Sequence, residues 1–598
     1  MKRITSVFVL AVFALFSLTA EDILFSKNDR VQAVLFQHKG LFVSTDSGIT
    51  WTDRSAGLPA REVYPDYGNG IKTFSSLAVG MIGDTETVIL AATHNALYRS
   101  VNGGAAWERV PLGAPVKPAD YLTAVAGHPD KPDTILLGTS YSGLLETADG
   151  GKTWRRLDDK LKALYRGAGF YEEILGLAYE SEDSADGSER TVLPFISTGY
   201  TKETFKLGNA ELEKIEYQAP IKPANADLET LRGLFPLLSE REKLFHADNT
   251  KIYENRKGIY VNSIQAGSEK IDAHLDFLAK KGLNCLVVDF KDDTGLVTYD
   301  TALEAPRTYG AVRERIRLDD LVSKVHSHGM YLIGRIVVFK DQRLYQHPGF
   351  AIMDKDGGKW GNRVKVEKED ETVWEQREFW VDPFNPKVWD YNAAIAKELQ
   401  DRGVDEIQFD YIRFPSDGDT SRAVYPAQRE GMTRTEALES FLVRVREDIR
   451  IPVSTDLYGF NSWYRMGNWI GQSLDLVSRY VDVICPMFYP SHFPRDFLKG
   501  LEYKARAERI YQEGCNRAAA IVGDKAVIRP YVQAFLLPFE YYMEEPEYTE
   551  YLRLQVKGTE ESAATGFLLW NNSNRYYMVT DTIKEYTAKA NQEKDTLD

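Results

Sequence analysis

Cysteine, excess basic charge and long apolar segments are all scarce in this sequence. The 598 residues include three cysteines, too few for a disulfide framework. No spacing of Cys and His resembles a zinc site, and we predict neither a metal nor another cofactor. The net charge is −15, whereas nucleic-acid-binding proteins carry a basic face, so we predict no nucleic-acid partner. Beyond the N-terminus no apolar run is long enough to span a membrane.

The composition that remains is that of a folded protein with more than one domain. Hydrophobic residues make up 43% and charged residues 27%, which is typical of globular chains and excludes wholesale disorder. A chain of 598 residues exceeds what one hydrophobic core holds, so we expect at least two domains. Aromatic residues reach 12%, a level that sugar-binding clefts share with ordinary β-rich folds.

The first residues have the pattern of an export signal. Lys2 and Arg3 precede an apolar run over residues 7–18, and Ala20 supplies a small residue at a cleavage point. A positive start, a short apolar stretch and a small residue are the parts of a secretory signal peptide. We therefore predict a signal at residues 1–20 and an exported bacterial protein, periplasmic, on the outer surface or secreted. An uncleaved N-terminal anchor is the alternative.

A short motif recurs three times in the N-terminal part of the chain. Its pattern is Ser/Thr-x-Asp-x-Gly-x-Thr-Trp, and a weaker fourth copy lies near 197–205; the three copies end at Trp51, Trp107 and Trp154. In a β-hairpin turn, Asp accepts backbone N–H bonds, Gly supplies positive φ, and Trp packs beneath. Repeats of roughly 50 residues with several strands each are typical of propeller blades. We predict an all-β, propeller-like domain over residues 21–205, with about four blades.

Residues 206–255 have the pattern of a connector. A Pro/Ala-rich stretch at 219–226 is followed by apolar residues at helical spacing over 228–245. We predict a linker with one helix.

Strand and helix patterns alternate regularly from residue 256 onward. The predicted strands are 258–262, 283–289, 331–339, 404–410, 451–456, 482–489, 527–535 and 566–571. The predicted helices lie near 268–281, 318–329, 386–402, 433–450, 500–519, 546–558 and 574–592. Eight strands in this rhythm predict a (β/α)8, or TIM, barrel over residues 256–598. A doubly wound open sheet is the alternative, but no Gly-rich phosphate loop follows the first strand.

Alternate residues of a barrel strand face the barrel axis. In the fourth predicted strand the apolar Ile407 and Phe409 form one set, so Gln408 and Asp410 should face the axis, with Asp410 at the carboxyl end. The same reasoning places further polar and aromatic groups on inward faces or at strand ends: Asp289, Lys291, Arg335, Ser454, Asp456, Tyr458, Tyr489, Gln533, Trp570 and Asn571.

A ring of charges at the carboxyl end is the feature that this alternation predicts most sharply. Its members are Asp289, Arg335, Asp410 and Asp456. Burying a charge costs several kcal/mol unless it is paired or solvated, and carboxyl-end residues usually carry the chemistry of this fold. The alternative is a salt-bridge network that plugs the end of the barrel.

Two segments of the barrel resemble a known group. Residues 380–391 (WVDPFNPKVWDY) and 404–415 (VDEIQFDYIRFP) are similar to bacterial glycosyl hydrolase barrels related to the alpha-amylase superfamily, and the similarity extends over about 256–590. The N-terminal motifs resemble the Asp-box (BNR) repeats of sialidase-like and sortilin-like propellers. The barrel resemblance implies cleavage of a polysaccharide or oligosaccharide by two carboxyl groups.

The resemblance implies that Asp410, at the end of strand four, is the nucleophile. On strand five the candidate acid/base is Asp456, where the superfamily has Glu, and Gln408 stands where it has Arg. Arg335 and Arg413 are candidate replacements for that Arg. Asp289 and Asp292 are alternatives to Asp456. The residues predicted to bind substrate are Asp289, Asp292, Arg335, Tyr411, Arg413, Tyr458, Tyr489, Gln533, Trp570 and Asn571.

Other functions stay open at this point. A non-catalytic envelope protein could bind glycan through the barrel and a protein or glycan partner through the N-terminal domain, and a deacetylase or lyase is a third option. The long segment 341–380 after strand three carries several aromatic residues, and we predict a flap that faces the substrate. The alternative is a surface insert that packs on the neighbouring loop.

Overall fold

The computed structural model describes residues 12–14, 23–27, 31–82, 86–113, 115–167, 169–183, 190–207, 212–215, 252–368 and 371–580. The chain divides into two compact units, residues 1–239 with 463–468, and residues 240–462 with 469–598. Most of the predicted export signal and of the predicted connector, with its helix at 228–245, lies outside the described residues. Within the described part of the chain, no helix has the length and apolar character needed to cross a bilayer.

The N-terminal unit contains four small antiparallel sheets whose strands follow one another in sequence order. The first sheet consists of Val12–Ala14, Ile23–Lys27, Gln32–Phe36, Gly40–Ser44 and Thr52–Asp53. The second consists of Phe74–Ile82, Glu86–Thr93, Leu97–Ser100 and Glu108–Val110. The third consists of Leu122–His128, Lys131–Thr139, Leu144–Thr147 and Arg155–Arg156, and the fourth of Ile174–Asp183, Arg190–Thr198, Thr204–Leu207 and Leu212–Ile215. A two-stranded ribbon, Tyr165–Gly167 with Phe170–Tyr171, lies between the last two.

Consecutive sheets of this unit bury apolar side chains against one another. One cluster joins the first and second sheets through residues such as Leu35 and Ile89. A second cluster joins the second and third sheets, and a third joins the third and fourth sheets around Leu136 and Ile196. Four-stranded sheets stacked in sequence order are typical of propeller blades. The structure therefore has the predicted sheets, and their closure into a propeller stays a prediction.

The repeated motif folds into the same hairpin turn in each copy. In the first copy, the N–H and hydroxyl of Thr50 donate to the Asp46 carboxylate at 2.8 and 2.6 Å. The third copy repeats both bonds around Asp149. In the second copy Asn102 accepts bonds from the N–H of Ala106 and from the Ser100 hydroxyl, both at 2.9 Å. The Trp indoles donate to the carbonyl oxygens of Gly48, Arg54 and Pro111. The turn chemistry is as predicted, whereas the relationship to Asp-box families stays a prediction.

Eight parallel strands close into a barrel in the C-terminal unit, as predicted. They are Lys257–Val261, Cys285–Lys291, Tyr331–Val337, Glu406–Asp410, Val453–Tyr458, Val483–Met487, Tyr531–Gln533 and Phe567–Trp570, referred to below as strands one to eight. Each strand pairs with the next, and strand eight pairs with strand one, Lys257 opposite Phe567. Their near-continuous apolar runs suit strands that are covered on both faces.

Helices follow most of the strands, close to the predicted positions. Their bounds are Ser263–Ala266, Lys270–Lys281, Leu318–Ser327, Pro386–Asp401, Arg434–Asp448, Gly467–Ile470, Leu474–Val477, Tyr503–Val522 and Glu545–Glu560. The loop after strand two adds Val297–Tyr299, Glu304–Thr308 and Val312–Ile316. Between strands five and six, where no long helix is predicted, there are two helices of four residues each.

Two predicted elements need correction. The strand predicted at 527–535 is interrupted, because Pro530 has no N–H to donate between Val527–Ile528 and Tyr531–Gln533. The helix predicted from residue 574 does not begin there. Asn574 has φ of 55°, in the left-handed region, and no helix forms over residues 574–580. The remainder of that predicted helix lies outside the described residues.

The segment 341–380 packs on the loop that follows strand four. Its elements are Gln342–Gln346, Met353–Asp354 and a hairpin of Asn362–Lys368 with Glu371–Glu378. Met353–Asp354 pairs with Ala423–Val424, and the Trp360 indole donates to the Asp419 carbonyl at 2.9 Å. These contacts support the alternative, a packed surface insert, for the base of the segment. The hairpin carries Trp374, which is 62% exposed, and a flap role for it stays a prediction.

Candidate active site

Four charged side chains from strands two to five meet at the carboxyl end of the barrel. Arg335 lies at their centre, with Nη1 2.5 Å from an Asp289 oxygen and Nη2 bonded to Asp410 Oδ2. Its Nε lies 3.2 Å from the same Asp410 oxygen and 3.7 Å from Asp456 Oδ2. All four are buried, with exposures between 1% and 6%. The alternation of strand residues predicted this grouping.

Asp410 is held by three N–H donors. Two come from Arg335, and the third is the backbone N–H of Tyr411, 2.5 Å from Asp410 Oδ1. Tyr411 has φ of 52°, a left-handed conformation that costs a non-glycine residue about 1–3 kcal/mol and often marks functional sites. Its ring packs near Trp380 and beneath Lys340 Nζ, at 4.8 Å. The chain turns sharply here, and the turn aims a donor at the Asp410 carboxylate.

Asp456 has a different environment, although it shares the same guanidinium. Burial raises the pKa of Asp456 well above its ordinary value, and the neighbouring charge of Asp410 raises it further. Its Oδ1 has no hydrogen-bond partner among the described residues. Burial also raises the pKa of Asp289, against the opposing effect of Arg335. One guanidinium cannot keep three carboxyl groups ionised in a dry site, so this environment favours a proton on Asp456 or Asp289.

Aromatic rings from strands one and eight form a wall beside the charges. The Tyr260 hydroxyl donates to Asp289 Oδ2 at 2.5 Å. The ring of Tyr260 stacks on Trp570 with centroids 4.0 Å apart, and the Arg335 guanidinium lies 5.0 Å from the Trp570 centroid. Trp570, predicted to bind substrate, therefore lies next to the central arginine.

Of the two candidate replacements for the arginine that the resemblance implies at position 408, Arg335 is the one that contacts Asp410. Gln408 is buried in the barrel, where its Oε1 accepts a hydrogen bond from the Tyr531 hydroxyl at 2.5 Å. The other candidate replacement, Arg413, lies between the rings of Trp380 and Tyr458, 4.7 and 4.8 Å from their centroids. It donates to the Phe414 carbonyl at 3.0 Å.

Several predicted binding residues instead fix the loops around the site. Asp292 accepts the N–H groups of Thr294 and Leu296 and so closes a turn. Gln533 donates to the Phe535 carbonyl and to Glu540, and Asn571 donates to the carbonyls of Ala534 and Arg575. Tyr489 is 8% exposed and packs edge-on against Phe535. These side chains hold the loops around the site, and most of the polar groups named here are used in bonds within those loops rather than left free for a substrate.

Sequence reasoning did not single out Tyr260 or Lys340 as site residues. Tyr260 alternates with Ile259 and Val261, so the test applied to the other strands would have placed it on the axis side. Lys340 follows strand three, where no periodicity applies. Among the described residues, no three or more His, Cys, Asp or Glu side chains are arranged to hold a metal ion.

Residues 258–576, more than half of the chain, match the family model described as "Putative glycosyl hydrolase domain". The chain belongs to this family. A glycosyl hydrolase domain implies a carbohydrate substrate, which agrees with the carboxyl pair and the aromatic wall. No curated protein sequence matches the chain.

Several solved structures are similar to this chain over part or most of its length. A hypothetical protein from Ruminiclostridium thermocellum is 32% identical over 33% of this chain and 97% of its own, with a TM-score of 0.29. The glycoside hydrolase domain of PgaB (BpsB) from Bordetella bronchiseptica is 13% identical over 57% of this chain and 98% of its own, with a TM-score of 0.35. A GH31 dextranase from Flavobacterium johnsoniae is 9% identical over 98% of this chain and 68% of its own, with a TM-score of 0.41.

Proposed function

We propose that the barrel hydrolyses glycosidic bonds of a polysaccharide or oligosaccharide, with Asp410 as nucleophile and Asp456 as acid/base. One observation carries the proposal. Two carboxyl groups on neighbouring strands share Arg335, but Asp410 accepts three N–H donors, whereas Asp456 lacks a partner on Oδ1 and has a raised pKa. Environments that separate the proton affinities of two carboxyl groups are how hydrolases divide the two roles.

The spacing of the two carboxyl groups supports the pair. Glycoside hydrolases separate their carboxyl groups by about 5–10 Å. One oxygen of Asp410 and one of Asp456 lie within 3.7 Å of the same nitrogen of Arg335, so they cannot be further apart than twice that distance. A separation of the two carboxyl groups well above about 10 Å, which would rule out the pair, is therefore excluded.

In this proposal the surrounding residues orient the two carboxyl groups. Arg335 and the Tyr411 N–H hold the Asp410 carboxylate for attack on the anomeric carbon, or for stabilising positive charge on it. Asp456, whose raised pKa favours the protonated form, gives its proton to the leaving oxygen and afterwards takes one from water. Asp289 is bonded to Tyr260 and Arg335 and so holds the Arg335 guanidinium beside the two carboxyl groups.

A non-catalytic glycan-binding protein is the second candidate. The observation that favours it is the burial of the whole cluster, with Asp456 1% exposed and the Arg335 guanidinium already paired with Asp289 and Asp410. Such a cluster could serve only as a structural salt-bridge network. In either case we propose that the protein acts after export, and that the N-terminal sheets dock a protein or glycan partner.

The two candidates give different results with purified protein. We expect wild type to release reducing ends from at least one polymer in a panel of bacterial and plant glycans. The Asp456→Asn variant should lose most of that activity but retain cleavage of aryl glycosides, because their leaving groups need no protonation. Absence of reducing ends from every polymer, with glycan binding intact, would favour the non-catalytic candidate.

A further inference from the structure

The loops after strands seven and eight enclose a pocket of about 530 Å³ that the proposed carboxyl pair does not occupy. Its lining includes Phe535, Tyr541, Trp570, Asn571, Arg575 and Tyr577. A volume of this size suits a small ligand, since binding pockets generally enclose about 300–1,000 Å³. Trp570 belongs both to the pocket and to the wall beside Arg335, so the pocket adjoins the charged cluster.

Exposed aromatic rings are concentrated around this pocket. Tyr541 is 68% exposed and Tyr577 is 58% exposed, although large rings lose favourable free energy when they face water. The ring of Tyr577 packs edge-on against the buried Tyr548, with the two ring centroids 6.1 Å apart. Exposed rings that line a pocket offer flat apolar surfaces to a ligand.

The polar groups of the pocket limit the charge of that ligand. The described lining contains no carboxylate, and its one charged residue is Arg575, whose Nε donates to the Ser573 hydroxyl at 3.3 Å. A cationic amino sugar would face this guanidinium without an opposite charge, which is unfavourable. Asn572 also lines the pocket and carries an amide group that matches the hydroxyls of a sugar.

We propose that this pocket is a substrate subsite that binds pyranose rings without a positive charge by stacking on Tyr541 and Tyr577, next to Trp570. The inference rests on the proposed function, because it makes the pocket one end of the cleft that leads to Asp410. It excludes cationic sugars from this subsite, and it gives the loops after strands seven and eight a role in binding rather than in catalysis.

Binding can be tested separately from hydrolysis. Isothermal titration calorimetry of wild type and of Asp410→Asn uses hexasaccharides of α-linked glucose, β-linked glucose, N-acetylglucosamine and deacetylated glucosamine. We expect at least one uncharged hexasaccharide to bind. Tyr541→Ala and Tyr577→Ala should each raise its Kd by about tenfold. Tyr542→Ala is the matched control, because Tyr542 is 65% exposed on the same loop but does not line the pocket.

The outcomes separate this inference from the proposed function. Unchanged binding in Tyr541→Ala and Tyr577→Ala, or equal weakening in Tyr542→Ala, overturns the subsite. Failure of every uncharged hexasaccharide to bind overturns the subsite, and equally tight binding of the deacetylated one overturns the exclusion of cationic sugars. Sugar binding that depends on Tyr541 and Tyr577 in a protein that releases no reducing ends would support the subsite and refute hydrolysis.

Discussion

Removing the guanidinium of Arg335 should destabilise the barrel in a pH-dependent way. The Arg335→Met variant keeps much of the side-chain volume but leaves Asp289, Asp410 and Asp456 without their shared cation. Arg335 is 4% exposed, so little solvent can replace it. Breaking a buried ion pair by removing one partner costs about 3–5 kcal/mol, and we expect a loss of this size at pH 7.

The sign of the pH dependence follows from the two raised pKa values. Asp289 and Asp456 have folded-state pKa values above those of the unfolded chain, so their contribution to stability falls as pH rises through the folded values. Arg335 opposes this rise at both groups. Without Arg335 both pKa values rise further, so the deficit of Arg335→Met should grow as pH rises and shrink as pH falls.

Hydrogen exchange of peptides from strands three to five, measured across a urea series, reports the stability of the barrel alone. The Arg402→Met variant is a control, because Arg402 bridges Asp300 and Asp319 near the surface, where an ion pair contributes about 1 kcal/mol or less. If Arg335→Met lost no more stability than Arg402→Met, or if its deficit were the same at every pH, this reasoning would be wrong.

Three further predictions concern turns, loops and catalysis. Asp149→Ala should lower the melting temperature of the N-terminal unit more than Asn102→Ala, because Asp149 accepts one backbone and two hydroxyl bonds whereas Asn102 accepts one of each. The pKa of Asp149 is lowered to about 2, so calorimetry should show its contribution fading as pH falls from 4 towards 2. Glu540→Gln should cost about 1–3 kcal/mol in chemical unfolding, since buried Glu540 accepts bonds from Gln533 and two tyrosines, and an amide would oppose one donor. Hydrolysis should decline as pH rises through the raised pKa of Asp456 and the group loses its proton, and a flat kcat profile would contradict its role as acid.

The barrel and its charged centre were predictable because the alternation of residues along a strand shows which side chains face the barrel axis. The alternation around Ile407 and Phe409 was enough to place Asp410 on the axis, and the same rule grouped Asp289, Arg335 and Asp456 with it. A parallel strand is covered on both faces, so any charge in it must be paired or functional. Three carboxyl groups and one arginine on four strands therefore had to meet.

The rest of the site depends on loops, and loops have no regular alternation of side chains from which their direction could be predicted. The sequence could not show that Asp292, Gln533 and Asn571 would be occupied by bonds to their own loops. It could not show that Tyr541 and Tyr577 would share a pocket, because 36 residues separate them and no repeating pattern relates the two loops. For the N-terminal unit the turn motif predicted the hairpins, since Asp46 and its counterparts make local bonds.

The role of Asp410 is tested most directly by the rate of reducing-end release from the glycan that wild type cleaves. The account predicts that Asp410→Asn lowers kcat/KM by on the order of 10³ or more, since a neutral amide cannot serve as nucleophile. Asp417→Asn, an exposed change on the following loop, should leave the rate unchanged. An Asp410→Asn protein as active as wild type would contradict the central claim.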